Sequence, residues 1–263
     1  MRAMAGSLSR LIGEFMHRRM LARVRRNHSL AEHADTSTLR ALRALRAGGR
    51  QLRAELDVTL DAVDSRLGHP KGGSARIQRK PGMDWAWRPE LWSGPVRPAG
   101  VAPAPRQANL SRHGKVYHDC GLGEIALRQV ANQGADDLNP YAYLVEVFGF
   151  SGTFLSLVVD LPADALAGLA RRHVIRLEAR IEVERPIRVY ARLNLRYGPN
   201  TEQITRELDQ TARPPEAEFD LAYADFAADQ IDRAWIDLFF ENPAMNRMTL
   251  KDLTLMRLVR AEY

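Results

Sequence analysis

The sequence predicts an α+β protein: an N-terminal α-helical hairpin followed by a C-terminal antiparallel β-sandwich of jelly-roll-like form. Three observations predict it. Ile175, Leu177, Ala179, Ile181 and Val183 alternate with charged residues, and the alternation resumes after Pro186 through Ile187, Val189, Ala191, Leu193 and Leu195, the period-2 signature of half-buried strands. From Lys115 onward, short strand patterns recur between turns without intervening long helices, which favours a sandwich over a parallel α/β sheet. Before them, leucines at spacings of three, four and seven mark helix.

In chain order, residues 7–26 place Leu8, Leu11, Ile12 and Phe15 at helical spacing ahead of Arg18, Arg19, Arg23, Arg25 and Arg26, a basic amphipathic helix suited to an anionic surface. Thr36, Ser37 or Thr38 is positioned to cap a second helix. Its stripe is Leu39, Leu42, Leu45, Leu52, Leu56, Leu60, Val63 and Leu67, with an expected interruption at Gly48-Gly49 and a stop at Gly68-His69-Pro70. The two would form the hairpin, and residues 37–67 could also self-associate as a coiled coil.

Residues 68–105 hold seven of the fourteen prolines and six glycines, the composition of a connector. It also carries Trp85, Trp87 and Trp92, large apolar surfaces that a solvated linker does not need, so the segment is expected to pack on the sandwich. The expected domains are therefore 1–70, basic and helical; 71–113, a Pro/Gly/Trp-rich connector; and 114–263, the sandwich.

Strands are expected at 116–118, 124–130, 143–150 and 154–161, then a short helix begun by Pro162, then the central pair, then 219–223, 234–240 and 250–258. Equal parity of the two alternating sets predicts a hairpin with Val183 opposite Ile187 around Glu184-Arg185-Pro186. Its outer face would set Glu182 against Arg188, Arg180 against Tyr190 and Glu178 against Arg192.

Charge is uneven: residues 1–113 carry 21 basic and 9 acidic side chains, and residues 114–263 carry 17 and 23. The first part suits a polyanionic partner, whether lipid, nucleic acid or acidic protein. One cysteine, Cys120, excludes an intramolecular disulfide and a cysteine zinc cluster. No apolar run reaches membrane-spanning length and the basic start does not lead into a signal core, so the expectation is a cytoplasmic or particle-associated protein without a signal peptide. His118-Asp119-Cys120 lacks local partners for nucleophilic catalysis. Asp225, Asp229 and Asp232 lack a calcium-loop signature, and no phosphate loop or dinucleotide fingerprint occurs. The expectation is a non-enzyme without metal or cofactor.

The most suggestive polar cluster is the outward set Tyr190, Arg192, Asn194 and Arg196, continued by Asn200 and Gln203, with Trp85 and Trp87 as candidate aromatic rims. Planar amides and guanidinium groups beside aromatics are what a saccharide face needs. The runs Leu177–Glu207, Ala234–Pro243 and Leu250–Leu255 resemble the second half of jelly-roll carbohydrate-binding modules, which implies saccharide binding. Asp84–Trp92, Phe154–Pro162 and Gly198–Gln203 are similar to an uncharacterised domain-of-unknown-function family of alphaproteobacteria, which implies no activity. The expected function is a non-enzymatic saccharide-binding module with a basic attachment segment. The alternatives are a structural adaptor or attachment component of a phage-like particle, and a hydrolase using clustered carboxylates.

Overall fold

The computed structural model describes residues 38–67, 77–132, 137–209, 214–226 and 231–260, with isolated positions 22, 25, 134 and 212. The chain divides into two compact units near residue 60. Helix α1, Leu39–Leu67, begins in the first. Thr38 Oγ1 accepts from the Ala41 N–H at 3.3 Å, satisfying one of the orphan donors of the first turn. The helix runs through Gly48-Gly49 unbroken, correcting the expected interruption. Each glycine costs about 1 kcal/mol relative to alanine, and the surrounding Ala, Leu and Arg residues favour helix enough to carry the pair. The other arm of the expected hairpin, residues 7–26, lies outside the described residues apart from positions 22 and 25.

The remaining elements in order are β1 (Met83–Trp87), α2 (Glu90–Ser93), β2 (Gly100–Val101), β3 (Gln107–Asn109), β4 (Gly114–His118), β5 (Ile125–Ala131), β6 (Tyr141–Val147), β7 (Leu155–Asp160), α3 (Ala163–Leu166), β8 (His173–Val183), β9 (Val189–Tyr197), β10 (Asn200–Glu207), β11 (Glu216–Asp220), β12 (Ile231–Phe240) and β13 (Asn246–Val259). They build two antiparallel sheets. The first has the order β11-β8-β13-β6-β5-β2, with β1 also paired to β13; the second has the order β10-β9-β12-β7-β4-β3. Inward residues such as Leu177, Leu253 and Val145 of the first sheet and Leu193, Ile236 and Leu157 of the second belong to one buried cluster.

The alternation at β8 and β9 is as expected, but the pairing is not. β8 lies between β11 and β13 in the first sheet, and β9 lies between β10 and β12 in the second. The expected hairpin and its cross-strand pairs therefore do not form. Both strands face the core from opposite sides, and their connection crosses the sandwich edge, where the Asn246 side chain accepts from Arg185 N at 3.0 Å and donates to Arg185 O at 2.9 Å. Parity alone could not separate the two arrangements, because each buries both apolar sets.

The connector is also more than a strap: it supplies β1, β2, β3 and α2, so strands of the sandwich begin at Met83 rather than at residue 114. Trp92 is 0% exposed and its indole Nε1 donates to Leu250 O at 2.7 Å. Gln129 fixes the same segment, donating to Leu91 O and Gly94 O and accepting from Val96 N, each at 2.8 Å. Trp85 and Trp87 stack with centroids 6.4 Å apart and pack against the core.

A clasp holds β1 to the rest. Arg257 Nε donates to Asp84 at 2.8 Å, and its Nη1 donates to the carbonyls of Ala165 and Ala167 at 3.0 and 2.8 Å. Beside it His173 is 1% exposed, and its Nδ1 accepts from the Ala170 N–H at 3.0 Å. Burial pulls its pKa below the ordinary 6.5, with Asp84 opposing. The folded state thus favours neutral His173 while the unfolded chain binds a proton near 6.5, so this contribution is intact above about pH 6.5 and is lost as pH falls below it. Chemical unfolding between about pH 7 and pH 5 should show stability declining, and His173→Gln should flatten that decline. An unchanged slope in the variant would assign it to other groups. Asp84 and Asp160 titrate in a separate window, since both are held below their ordinary 3.8.

Candidate functional site

The outer face of the second sheet gathers polar and aromatic side chains in rows set by strand register. One row runs Glu207, Tyr190, Phe239, Ser156, Tyr117 and Gln107 across β10, β9, β12, β7, β4 and β3. The next runs Thr205, Arg192, Asp237, Val158, Lys115 and Asn109, and a third runs Gln203, Asn194, Trp235 and Asp160. Because side chains alternate across a strand, core residues Leu193, Ile236 and Leu157 force their neighbours outward.

Within the face, Asp237 is the hub. Its carboxylate accepts from Arg192 Nε at 3.0 Å and Nη2 at 2.8 Å, and from Asn194 Nδ2 at 3.0 Å. Asn194 Oδ1 in turn accepts from Gln203 Nε2 at 3.0 Å, so one chain of hydrogen bonds fixes planar groups on β12, β9 and β10. The Arg192 guanidinium lies 4.6 Å from the Phe239 ring centroid, and Arg233 lies 4.8 Å from that of Trp235, both within cation–π range. Asp160 accepts from Lys115 at 2.8 Å and from Arg233 Nε at 3.1 Å. Although burial alone would raise its pKa, these two cations hold it below the usual carboxylate range. Arg196 and Asp232 pair at 2.8 Å, and the hydrogen bond from Arg196 keeps the Asp232 carboxyl low.

The structure brings together Tyr190, Arg192, Asn194 and Arg196 on β9 and sets Gln203 beside Asn194. Asn194 is 0% exposed, so it positions its neighbours from beneath the surface. Asn200 sits exposed where β10 begins, opposite Tyr197. The turn there is tight: Gly198 takes φ 55°, and with proline next, whose φ is locked negative, it adopts the first position of a type II′ turn. Trp85 and Trp87 do not join this face. They belong to β1 in the first sheet, where Trp85 Nε1 donates to Asp164 at 3.2 Å and the rings of Trp87 and His113 meet in a T-shaped arrangement with centroids 5.2 Å apart.

The aromatics of the face are instead Trp235, Phe239, Tyr190 and Tyr117. The signal for two of them was present: Trp235, Asp237 and Phe239 alternate with Ala234, Ile236, Leu238 and Phe240, so they share the face opposite the core. Tyr117 and Ser156 carried no such signal, because only register places them here. Elsewhere, His118 and Cys120 are buried. Asp119 accepts from the Thr153 amide and hydroxyl, each at 2.7 Å, and from Phe154 N at 3.1 Å, which staples a loop. Asp229 lies outside the described residues. Among the described residues no group of three His, Cys, Asp or Glu is arranged to hold a metal, and no helix is long and apolar enough to cross a membrane.

The profile of a family of unknown function, DUF6478, matches residues 4–263. The chain belongs to that family. No curated protein matches this DUF6478 member. Among solved structures, it is similar to the enzymatically active domain of tailspike protein 4 of bacteriophage CBA120, with 7% identity over 55% of this chain and 19% of that chain and a TM-score of 0.38. It is similar to a family 11 carbohydrate-binding module from Clostridium thermocellum, with 9% identity over 58% of this chain and 92% of that one and a TM-score of 0.34. It is also similar to the CBM22-1 xylan-binding domain from Paenibacillus barcinonensis Xyn10C, with 11% identity over 62% and 94% and a TM-score of 0.34.

Proposed function

We propose that the protein is a non-enzymatic binding module whose second-sheet outer face takes an uncharged saccharide. The observation that carries this is the hydrogen-bonded line Gln203–Asn194–Asp237–Arg192, held rigid on strands and flanked by half-buried Tyr190, Phe239, Trp235 and Tyr117. Fixed planar donors bind hydroxyls directionally, and aromatic rings accept the apolar CH face of a sugar ring. The cations Arg192, Arg196, Arg233 and Lys115 each face a carboxylate partner, which leaves little drive to attract an anionic ligand. The same pairing keeps Asp160 and Asp232 ionised, a state suited to fixing an arginine rather than to donating a proton. Residues 1–26, with seven arginines and one glutamate, would attach the module to an anionic surface. The leucine stripe of α1, with Leu39 and Leu56 exposed, would serve self-association.

The test is a glycan array with the full chain, followed by calorimetry on neutral oligosaccharides. Arg192→Ala should weaken binding by about tenfold, as loss of a hydrogen bond to a charged donor does, and binding should change little with added salt. Asn194→Ala should weaken binding too, while costing about 1–3 kcal/mol of stability because it orphans groups beneath the face. Binding confined to acidic glycans and abolished by salt would overturn the neutral-sugar reading; release of reducing ends would favour a hydrolase. A second reading, a protein-assembly contact, draws on Leu122, Phe148 and Met245, which are 54%, 58% and 58% exposed at one end of the sandwich. An array-negative protein that co-purifies with a particle would favour it.

A further inference from the structure

The outer face of the second sheet continues beyond the row that holds Tyr190, Phe239 and Ser156. Side chains alternate along a strand, so the next outward positions are Arg188, Glu241 and Phe154, and all three are exposed. Glu241 N donates to Arg188 O at 3.1 Å, which carries the β9–β12 pairing into this row. Glu241 also lines a cavity of about 360 Å³ between the β6–β7 loop, at residues 150–153, and the end of β12 with the loop that follows, at residues 240–244. That volume lies at the lower end of the range for ligand pockets, about 300–1,000 Å³.

Both walls are pinned. The Asp119 staple holds Thr153 and Phe154, and a Cβ on Gly152 would collide with the Asp119 carboxylate and the Cys120 amide, so that loop lies as close to its support as a backbone can. The opposite wall is tied at Glu241 N and at Met245 N, which donates to Phe148 O at 2.9 Å. In it Asn242 and Met245 take φ of 50° and 53°, the two left-handed non-glycine residues among those described. Side chains with a Cβ rarely adopt that backbone, and such strain gathers at binding sites. Phe240 and Pro243 are buried and Phe150 is half-buried, which makes one side of the cavity apolar. Its exposed polar groups are Thr153, Glu241 and Asn242. The Thr153 hydroxyl proton is spent on Asp119, while the Asn242 amide and the Glu241 carboxylate have no hydrogen-bond partner among the described residues. The unspent capacity is oxygen acceptors with one amide donor, which suits a ligand rich in hydroxyl groups. Arg188 has its charged form favoured first by Tyr190 and then by Glu207 and Glu241, so the Glu241 charge is answered in part within the protein.

We infer that this cavity is a subsite for one uncharged sugar ring of a glycan lying on the face, with the ring's apolar side against Phe150 and its hydroxyls bonded to Asn242 and Glu241. This rests on the saccharide reading above and extends the binding line past Arg188 and Phe154 to the end of the sandwich. The ring enters a space that is already open, between walls that are already fixed, so little of its binding is lost to ordering the protein.

The experiment compares the full-length protein with Asn242→Gly, Ala244→Phe and Arg192→Ala, using xylohexaose, cellohexaose and the cationic glucosamine hexamer as probes, and reads affinity by calorimetry and stability by thermal unfolding. Asn242→Gly removes the amide and supplies the residue that takes a positive φ without strain. It should weaken the bound neutral probe by about 3- to 10-fold, the worth of one hydrogen bond, while the unfolding midpoint stays the same or rises. Ala244→Phe, at an exposed position of the lining, fills the cavity and should weaken the same probe by about tenfold or more, since the ring's contacts are then unmade. Unchanged affinity in both variants alongside weakened binding in Arg192→Ala would overturn the subsite and leave the saccharide face standing. A midpoint lowered by several degrees in Asn242→Gly would assign the amide to the fold, which also overturns it. Tighter binding of the glucosamine hexamer than of either neutral probe would overturn the choice of an uncharged ring. Failure of the unaltered protein to bind any probe or any arrayed glycan would remove both readings.

Discussion

Trp92→Ala is expected to destabilise the sandwich by about 3–5 kcal/mol, the range for truncating a buried large aromatic. Trp92 is 0% exposed and sits next to Leu91, also 0% exposed, in a stretch whose proline and glycine content suggests a linker. Its indole both fills core volume and donates to Leu250 O, so the substitution opens a cavity and removes a buried hydrogen bond. Trp92→Phe keeps most of the apolar volume and should cost less, about 1–3 kcal/mol, set mainly by the lost N–H donor. Urea unfolding of the full chain checks both. A change under about 0.5 kcal/mol for Trp92→Ala, the range of surface substitutions, would show that residues 83–109 are a detachable strap rather than part of the fold.

Asp252→Ala should be comparably damaging, at about 3–5 kcal/mol, because it takes one partner out of a buried ion pair. Arg88 Nε donates to Asp252 at 2.8 Å, with side chains 9% and 6% exposed. Asn139 Nδ2 also donates to the same carboxylate, and Arg88 Nε reaches Thr254 Oγ1 at 3.2 Å. A single carboxylate on β13 thus gathers the segment after β1 and the approach to β6. Replacing the pair together, Arg88→Met with Asp252→Leu, should recover much of the loss, since a buried ion pair is often no better than well-packed apolar side chains. Equal stability of Asp252→Ala and the unaltered protein by chemical unfolding would show that the network contributes nothing net.

Much of the sandwich is readable in the sequence because burial imposes a period of two. Ile175 to Val183 and Ile187 to Leu195 announce which side chains face inward, and the structure keeps every one of those inward assignments. What the pattern does not carry is the partner. Val183 and Ile187 share parity whether their strands pair side by side or face one another across the core, so the hairpin was one of two equally consistent solutions. β10 escaped detection for a different reason. As an edge strand its residues are nearly all exposed or half-buried, and Asn200–Glu207 therefore shows no apolar alternation to read. β1 was concealed by its flanking prolines and glycines. The candidate site divides in the same way: the β9 column of Tyr190, Arg192, Asn194 and Arg196 follows from alternation along one strand, whereas Asp237, Phe239, Ser156 and Tyr117 reach it only through pairing between strands distant in the chain.

The route of the chain has a kinetic consequence. Apart from the step from β1 to β2 and the hairpins β3–β4, β5–β6 and β9–β10, each step to the next strand changes sheet, so most strand neighbours are far apart in sequence. Each such pairing must close a long loop before it gains contacts, and domains of this kind fold in milliseconds to seconds rather than microseconds. The first sheet cannot be completed until the last strand is present, since β13 pairs with β1, β6 and β8. During synthesis β1, β6 and β8 would wait with open edges for residues 246–259 to emerge. The last strand is thus the step that commits the molecule to its folded form.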